Sequence, residues 1–272
     1  TAPLMWATFK NVEAELTKQG VIKELINTHK PDVILHCAAM ANVDACENDP
    51  QLAHQVNAEL PGVIAAACQK HSVRMIHIST DAVFDGSRGN YNENDEPNPL
   101  SVYAQTKLDG ERAVLAANAE ALITRVNFYG WSAAGNRSLA ENFVNRLSQN
   151  EEMMGFTDVN FCPMNILDLS ALLVEVSSLD LRGIYHMVGP EAMSKFEFGK
   201  RIAEKFGFDP ALIKPVSIKE SGLKAARSPN LTLSTEKLHA ALGHDLPDFA
   251  GGLQKFYDQH RRGYPLYIKS LA

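Results

Sequence analysis

The 272-residue sequence predicts an α/β fold built on a parallel sheet. Three observations predict it. Residues 33–39, 75–80 and 121–127 are apolar runs without polar alternation, as in parallel strands buried on both faces. Helix-length segments separate these runs, the order that produces crossover connections. Small or polar residues close each run (Ala38 and Ala39, Thr80, Asn127), at the strand ends where open α/β sheets take ligands.

Taken in order, residues 1–10 show no clear period, 11–16 read as a short strand, and 21–29 as an amphipathic helix stopped before Pro31. After the strand at 33–39, residues 50–71 form a long helix with a kink expected at Pro61-Gly62. The strand at 75–80 delivers Thr80 to the sheet edge, and the Pro-, Gly- and Asn-rich residues 81–99 form a loop across its mouth. A helix over 101–118 precedes the strand at 121–127. Residues 166–179 read as an apolar helix and 183–188 as a strand. Ser194 and Glu197 form a capping box for a helix that ends at Phe206 before Gly207. Residues 208–233 read as irregular and 234–242 as a helix. The tail, 259–269, carries Arg261, Arg262 and Lys269 with Tyr264 and Tyr267; it packs on the surface or at a subunit contact, so a homodimer is one expected assembly.

A net charge of −6 without a basic run points away from nucleic acid and anionic membranes. No apolar stretch approaches the length of a membrane-spanning helix. Cys37, Cys46, Cys68 and Cys162 fit no CxxC or zinc spacing and read as reduced thiols of a cytoplasmic protein. The histidines show no HExxH spacing, and no metal site is expected.

The chemistry centres on Tyr103 and Lys107. Four residues apart on a helix, they share a face. A free tyrosine has a pKa of about 10, and an adjacent ammonium is expected to lower it and ready the phenol for proton exchange. Thr80, at the end of its strand, is placed to hydrogen-bond the same oxygen. The three together suit a carbonyl gaining hydride or an alcohol losing it. From spacing alone, YxxxK reads more readily as a pair on a solvated helix face.

The surrounding motifs add to this. His36-Cys37-Ala38-Ala39, then Ile78-Ser79-Thr80-Asp81-Ala82-Val83-Phe84-Asp85-Gly86, then Tyr91, Glu93, Pro97, Pro99, Tyr103 and Lys107 resemble the extended short-chain dehydrogenase/reductase superfamily. Within it the chain is similar to dTDP-4-dehydrorhamnose reductases and to the related regulatory β subunits of methionine adenosyltransferase. The resemblance implies a Rossmann-type doubly wound sheet with a smaller C-terminal lobe. Residues 1–130 would form the NAD(P)-binding core and 131–272 mainly the substrate-binding lobe, with segments near 165–190 rejoining the core. Relatives open on a strand, a Gly-rich turn and a helix; neither GxxGxxG nor GxGxxG occurs here, so the core is expected to lack roughly 30 residues at its start.

The resemblance also implies roles. Thr80, Tyr103 and Lys107 are the catalytic set. NAD or NADP would meet Glu15, Leu16, Cys37, Ala38, Ala39, Ile78, Ser79 and Asn127 besides Tyr103 and Lys107. A nucleotide-sugar would meet Asp81, Val83, Phe84, Phe128, Asn142 and Arg227. Glu15 reads equally as a surface residue and Arg227 as a solvated arginine, while Trp131 reads as packing. Asn57 is expected to brace the strand-end turns. The activity implied is NAD(P)H-dependent reduction of a nucleotide-activated 4-keto-sugar. Alternatives are a sugar-nucleotide epimerase or a non-catalytic regulatory subunit. A dehydratase is disfavoured, since Ala82 follows Asp81 where dehydratases carry glutamate.

Overall fold

Residues 75 and 76 show how the sheet is buried. In the computed structural model, which describes residues 12–220 and 228–271, Met75 packs into one apolar cluster and Ile76 into another. Leu122 and Ile123 divide in the same way, so consecutive side chains on the pleat feed cores on opposite faces.

The elements run in order as α1 (Val21–His29), β1 (Val33–His36), α2 (Val43–Asn48), α3 (Pro50–His54), α4 (Leu60–His71) and β2 (Arg74–Thr80). Next come α5 (Val102–Ala117), β3 (Leu122–Val126), β4 (Phe128–Tyr129), α6 (Leu139–Leu147), β5 (Met153–Phe156), β6 (Asn160–Phe161) and β7 (Met164–Asn165). The chain closes with α7 (Ile166–Ser177), β8 (Gly183–Met187), β9 (Met193–Ser194), α8 (Lys195–Phe206), β10 (Ile213–Val216), α9 (Glu236–Leu242), α10 (Phe249–Arg261) and α11 (Tyr264–Lys269).

The main sheet is parallel in the order β1-β2-β3-β8. Residues of α1, α4 and α5 cover one face and residues of α7 and α9 the other. Among the described residues β1 lies at the edge of this sheet, and Leu35 is 44% exposed there. Downstream, an aromatic core built on Tyr129, Phe143, Phe161, Phe198, Phe249 and Phe256 joins α6, α8 and α10. Trp131 is a packing residue, stacked on Phe256 at 4.2 Å with its indole N–H donating to the Phe256 carbonyl.

Some expectations change. No strand forms over residues 12–16. The break in the long helix falls before Pro61, as a π-helical turn over Gln55–Glu59. Proline has no N–H to return to residue 57, and one wide turn absorbs the loss. Residues 208–233 are not wholly irregular, since β10 pairs in parallel with β5. Ser194 does cap α8, but the Glu197 carboxylate turns to Arg201 at 2.9 Å; the full capping box lies at Ser138 and Glu141.

Candidate active site

Strand β2 ends on Thr80, whose hydroxyl caps a short 3-10 turn by accepting from the Ala82 N–H at 3.2 Å. Helix α5 starts at a Ser101 cap and brings Tyr103 alongside, so that Thr80 hydrogen-bonds the phenol. One turn on, the Lys107 ammonium donates to the Ile78 carbonyl at 2.7 Å. The three predicted catalytic residues therefore converge at the carboxyl edge of β2. Asn57 braces the neighbouring turn from the π-helical segment: its amide bonds both the N–H and the carbonyl of Met40, at 2.8 and 3.1 Å, and donates to the Thr106 hydroxyl.

The electrostatics correct one expectation. The Tyr103 phenol is pushed up to about 12, chiefly by burial, against the hydrogen bond it shares with Thr80 and with Asp81 adding to the rise. Lys107 does not lower it, because its ammonium is drawn to the Ile78 carbonyl and is itself pushed down to about 8 by burial. At neutral pH Tyr103 is protonated, the form a proton donor needs.

Asp81 lies beside this pair. It is buried, accepts from the Asn127 amide at 2.6 Å and from the Thr80 hydroxyl at 3.2 Å, and is pushed up to about 6 by burial. Lys195, at the start of α8, adds a nearby positive charge. Sequence reasoning missed Lys195, and no spacing relative to Thr80 or Tyr103 marks it.

On the expected cofactor side, Leu16, Cys37 and Ala38 line one cavity of about 580 Å³ beside β1. Ala39 is exposed next to them, and Glu15 is exposed and accepts from the Thr17 hydroxyl. Exposed small side chains at the end of β1 fit the close approach of a dinucleotide at the carboxyl edge of the sheet. Ile78 contributes its carbonyl to Lys107. Ser79 departs from expectation: its side chain is buried and donates to Glu111 at 2.5 Å.

Of the expected substrate residues, Phe128 is 49% exposed at the start of β4, next in the chain to Asn127, which bonds Asp81. Asn142 is exposed on α6. Val83 and Phe84 are core side chains with no exposed surface, because the 3-10 turn after Thr80 folds them inward; Phe84 stacks on Tyr91 at 4.2 Å. Arg227 lies outside the described residues. Among those described, no cluster of metal-ligating side chains occurs and no helix is long and apolar enough to cross a membrane.

Known proteins are similar to this chain. A dTDP-4-dehydrorhamnose reductase of Mycobacterium tuberculosis is 34% identical over 213 residues, 76% of this chain and 69% of the relative. Methionine adenosyltransferase 2 subunit beta of Pongo abelii is 32% identical over 235 residues, covering 83% and 70%. The crystal structure of a Bacillus anthracis dTDP-4-dehydrorhamnose reductase in complex with NADP superposes with a TM-score of 0.83 at 27% identity, over 90% of this chain and 86% of that one. The family model described as the RmlD substrate binding domain matches residues 4–262. Nearly the whole chain is thus accounted for by one family, and the protein belongs to the RmlD substrate-binding family, within the extended short-chain dehydrogenase/reductases.

Proposed function

We propose that this protein reduces the keto group of a nucleotide-activated 4-keto-sugar with NADPH or NADH. The observation that carries the reading is the convergence of Thr80, Tyr103 and Lys107 at the end of β2. The M. tuberculosis and B. anthracis relatives, named as reductases of a dTDP-linked keto-sugar, support the substrate class.

The cofactor, when bound, supplies hydride to the ketone carbon. Leu16, Cys37, Ala38 and Lys107 are the residues that would hold it. As negative charge develops on the ketone oxygen, the Tyr103 hydroxyl gives its proton there. A phenol near 12 still protonates an alkoxide, which is a stronger base. Thr80, hydrogen-bonded to the same oxygen, steadies both the phenol and the phenolate left behind. Asp81, fixed by Asn127, and the exposed Phe128 that follows Asn127 in the chain are the residues we propose for the hexose side. We place the protein in the cytoplasm, where its free thiols stay reduced, and leave a homodimer as the proposed assembly.

A second reading, a cofactor-binding regulatory subunit, is favoured by the similarity to methionine adenosyltransferase 2 subunit beta. Calorimetric titration of the full-length protein with NADPH and NADH, followed by turnover on a panel of nucleotide keto-sugars, separates the two. Oxidation of the cofactor only with a keto-sugar present supports the reductase. Tight binding without turnover on any of the panel points to the regulatory reading.

A further inference from the structure

Three consecutive residues at the end of β2 are each engaged by a different turn of α5. Tyr103 meets the Thr80 hydroxyl, Lys107 donates to the Ile78 carbonyl, and Glu111 accepts from the Ser79 hydroxyl. The spacing of four residues puts all three on one helix face. Arg125, the cross-strand partner of Ser79 in the β2–β3 register, donates Nε and Nη2 to the same Glu111 carboxylate at 3.0 and 2.7 Å. Its guanidinium lies 5.0 Å from the Phe84 ring centroid. Lys107, Glu111 and Arg125 are 2%, 2% and 1% exposed, so these charges sit where water screens little.

An ion pair with Arg125 accounts for a buried carboxylate but not for its place one turn from a buried ammonium. Lys107 is bonded to a neutral carbonyl, and dehydration drives it towards the uncharged amine; Glu111 is the largest influence holding the charge. The other groups facing Lys107 are Cys37 and His36 at the end of β1 and His77 on β2; both histidines are held neutral by burial.

We propose that Glu111 is a positioning residue: clamped by Ser79 and Arg125, its carboxylate fixes α5 against β2 and supplies the counter-charge that keeps Lys107 an ammonium beside Tyr103. Its kinetic consequence rests on the reductase reading; its effect on Lys107 does not.

Glu111→Gln alone strands the Arg125 charge in the core, so the deciding variant is Glu111→Gln with Arg125→Met, which removes the ion pair as a unit. Ser79→Ala, which only unpins the carboxylate, is the second variant, and Lys107→Met marks the limb that belongs to the lysine. NADPH fluorescence titrations across neutral to alkaline pH read the effect without turnover. Wild-type affinity is expected to break near the Lys107 pKa of about 8 and to weaken above it. In the double variant the break should move about one unit to lower pH, a roughly tenfold loss of ammonium at a given alkaline pH, and Ser79→Ala should move it part of the way. The alkaline limb of keto-sugar turnover should move with it. A break unmoved in both variants would overturn the proposal and leave Glu111 a structural bolt. Should the wild type bind NADPH but reduce no dTDP-linked 4-keto-sugar, the reductase reading falls while the binding limb still decides the role of Glu111.

Discussion

Acidification should unfold this protein early, through histidines set inside its sheet and beside its aromatic pairs. His36 and His77 are cross-strand partners on β1 and β2, stacked at 5.1 Å, with one Nδ1–H donating to the other Nδ1 at 2.9 Å. The hydrogen bond requires the accepting ring to be neutral, and burial with the nearby Lys107 charge holds both rings neutral, His36 down to about 4 and His77 well below its ordinary range. His186, edge-on to Phe84 and bonded to the Ser234 carbonyl, is pushed down to about 3 by burial, with Arg125 adding to the effect. A histidine whose folded pKa is depressed stays neutral in the fold while the unfolded chain takes up a proton. Stability is therefore full above about 6.5 and falls as pH drops towards the folded value. Each such group removes about 1.4 kcal/mol per pH unit below 6.5, so three remove about 4. Asp81 works the other way: raised to about 6, it holds its proton in the fold while unfolded carboxylates ionise, and it returns about 1.4 kcal/mol per unit between 6 and the ordinary aspartate range. The net fall is about 3 kcal/mol per unit. Two units then remove about 5 kcal/mol or more, comparable to the whole stability of many domains. Urea unfolding at steps from pH 7 to about 4.5 measures the slope. A flat profile would mean that these rings are charged or hydrated in the fold, and the burial argument would fail.

Two substitutions test how the site is held. Asn57→Ala removes three hydrogen bonds of a buried side chain, two to Met40 and one to Thr106, and a loss of about 2–3 kcal/mol is expected in urea unfolding, together with weaker NADPH binding as the turn after β1 loosens. Gly110→Ala places a β-carbon against the Asn57 carbonyl, which is backbone and cannot step aside, so α5 must shift at a cost of roughly 2 kcal/mol or more, read as a lower melting temperature.

The sheet was legible because parallel strands advertise themselves: residues 33–39, 75–80 and 121–127 needed no partner information to be read. Tyr103, Lys107 and Thr80 were legible from a helical spacing and a strand end. What surrounds them was not, for reasons particular to each. Ser79 sits next to Thr80 but points to the other side of the pleat, and only the β2–β3 register reveals that it meets Arg125 and Glu111. Glu111 was within reach of the same spacing argument, four residues beyond Lys107. His36 and His77 lie 41 residues apart, and their pairing depends on strand register. Val83 and Phe84 looked available as loop residues, but the 3-10 turn capped by Thr80 draws them into the core. The tyrosine was expected to be acidified because proximity to Lys107 was weighed without the dehydration that both groups undergo.

The central claim is that Tyr103 protonates a ketone oxygen while the cofactor reduces the carbon. The most direct measurement is single-turnover NADPH oxidation, followed by absorbance, with a dTDP-linked 4-keto-sugar, comparing wild type with Tyr103→Phe. Loss of one hydroxyl should leave folding and NADPH affinity close to wild type and slow hydride transfer by about 10²–10⁴-fold. A Tyr103→Phe protein that binds NADPH and turns over at the wild-type rate would contradict the account.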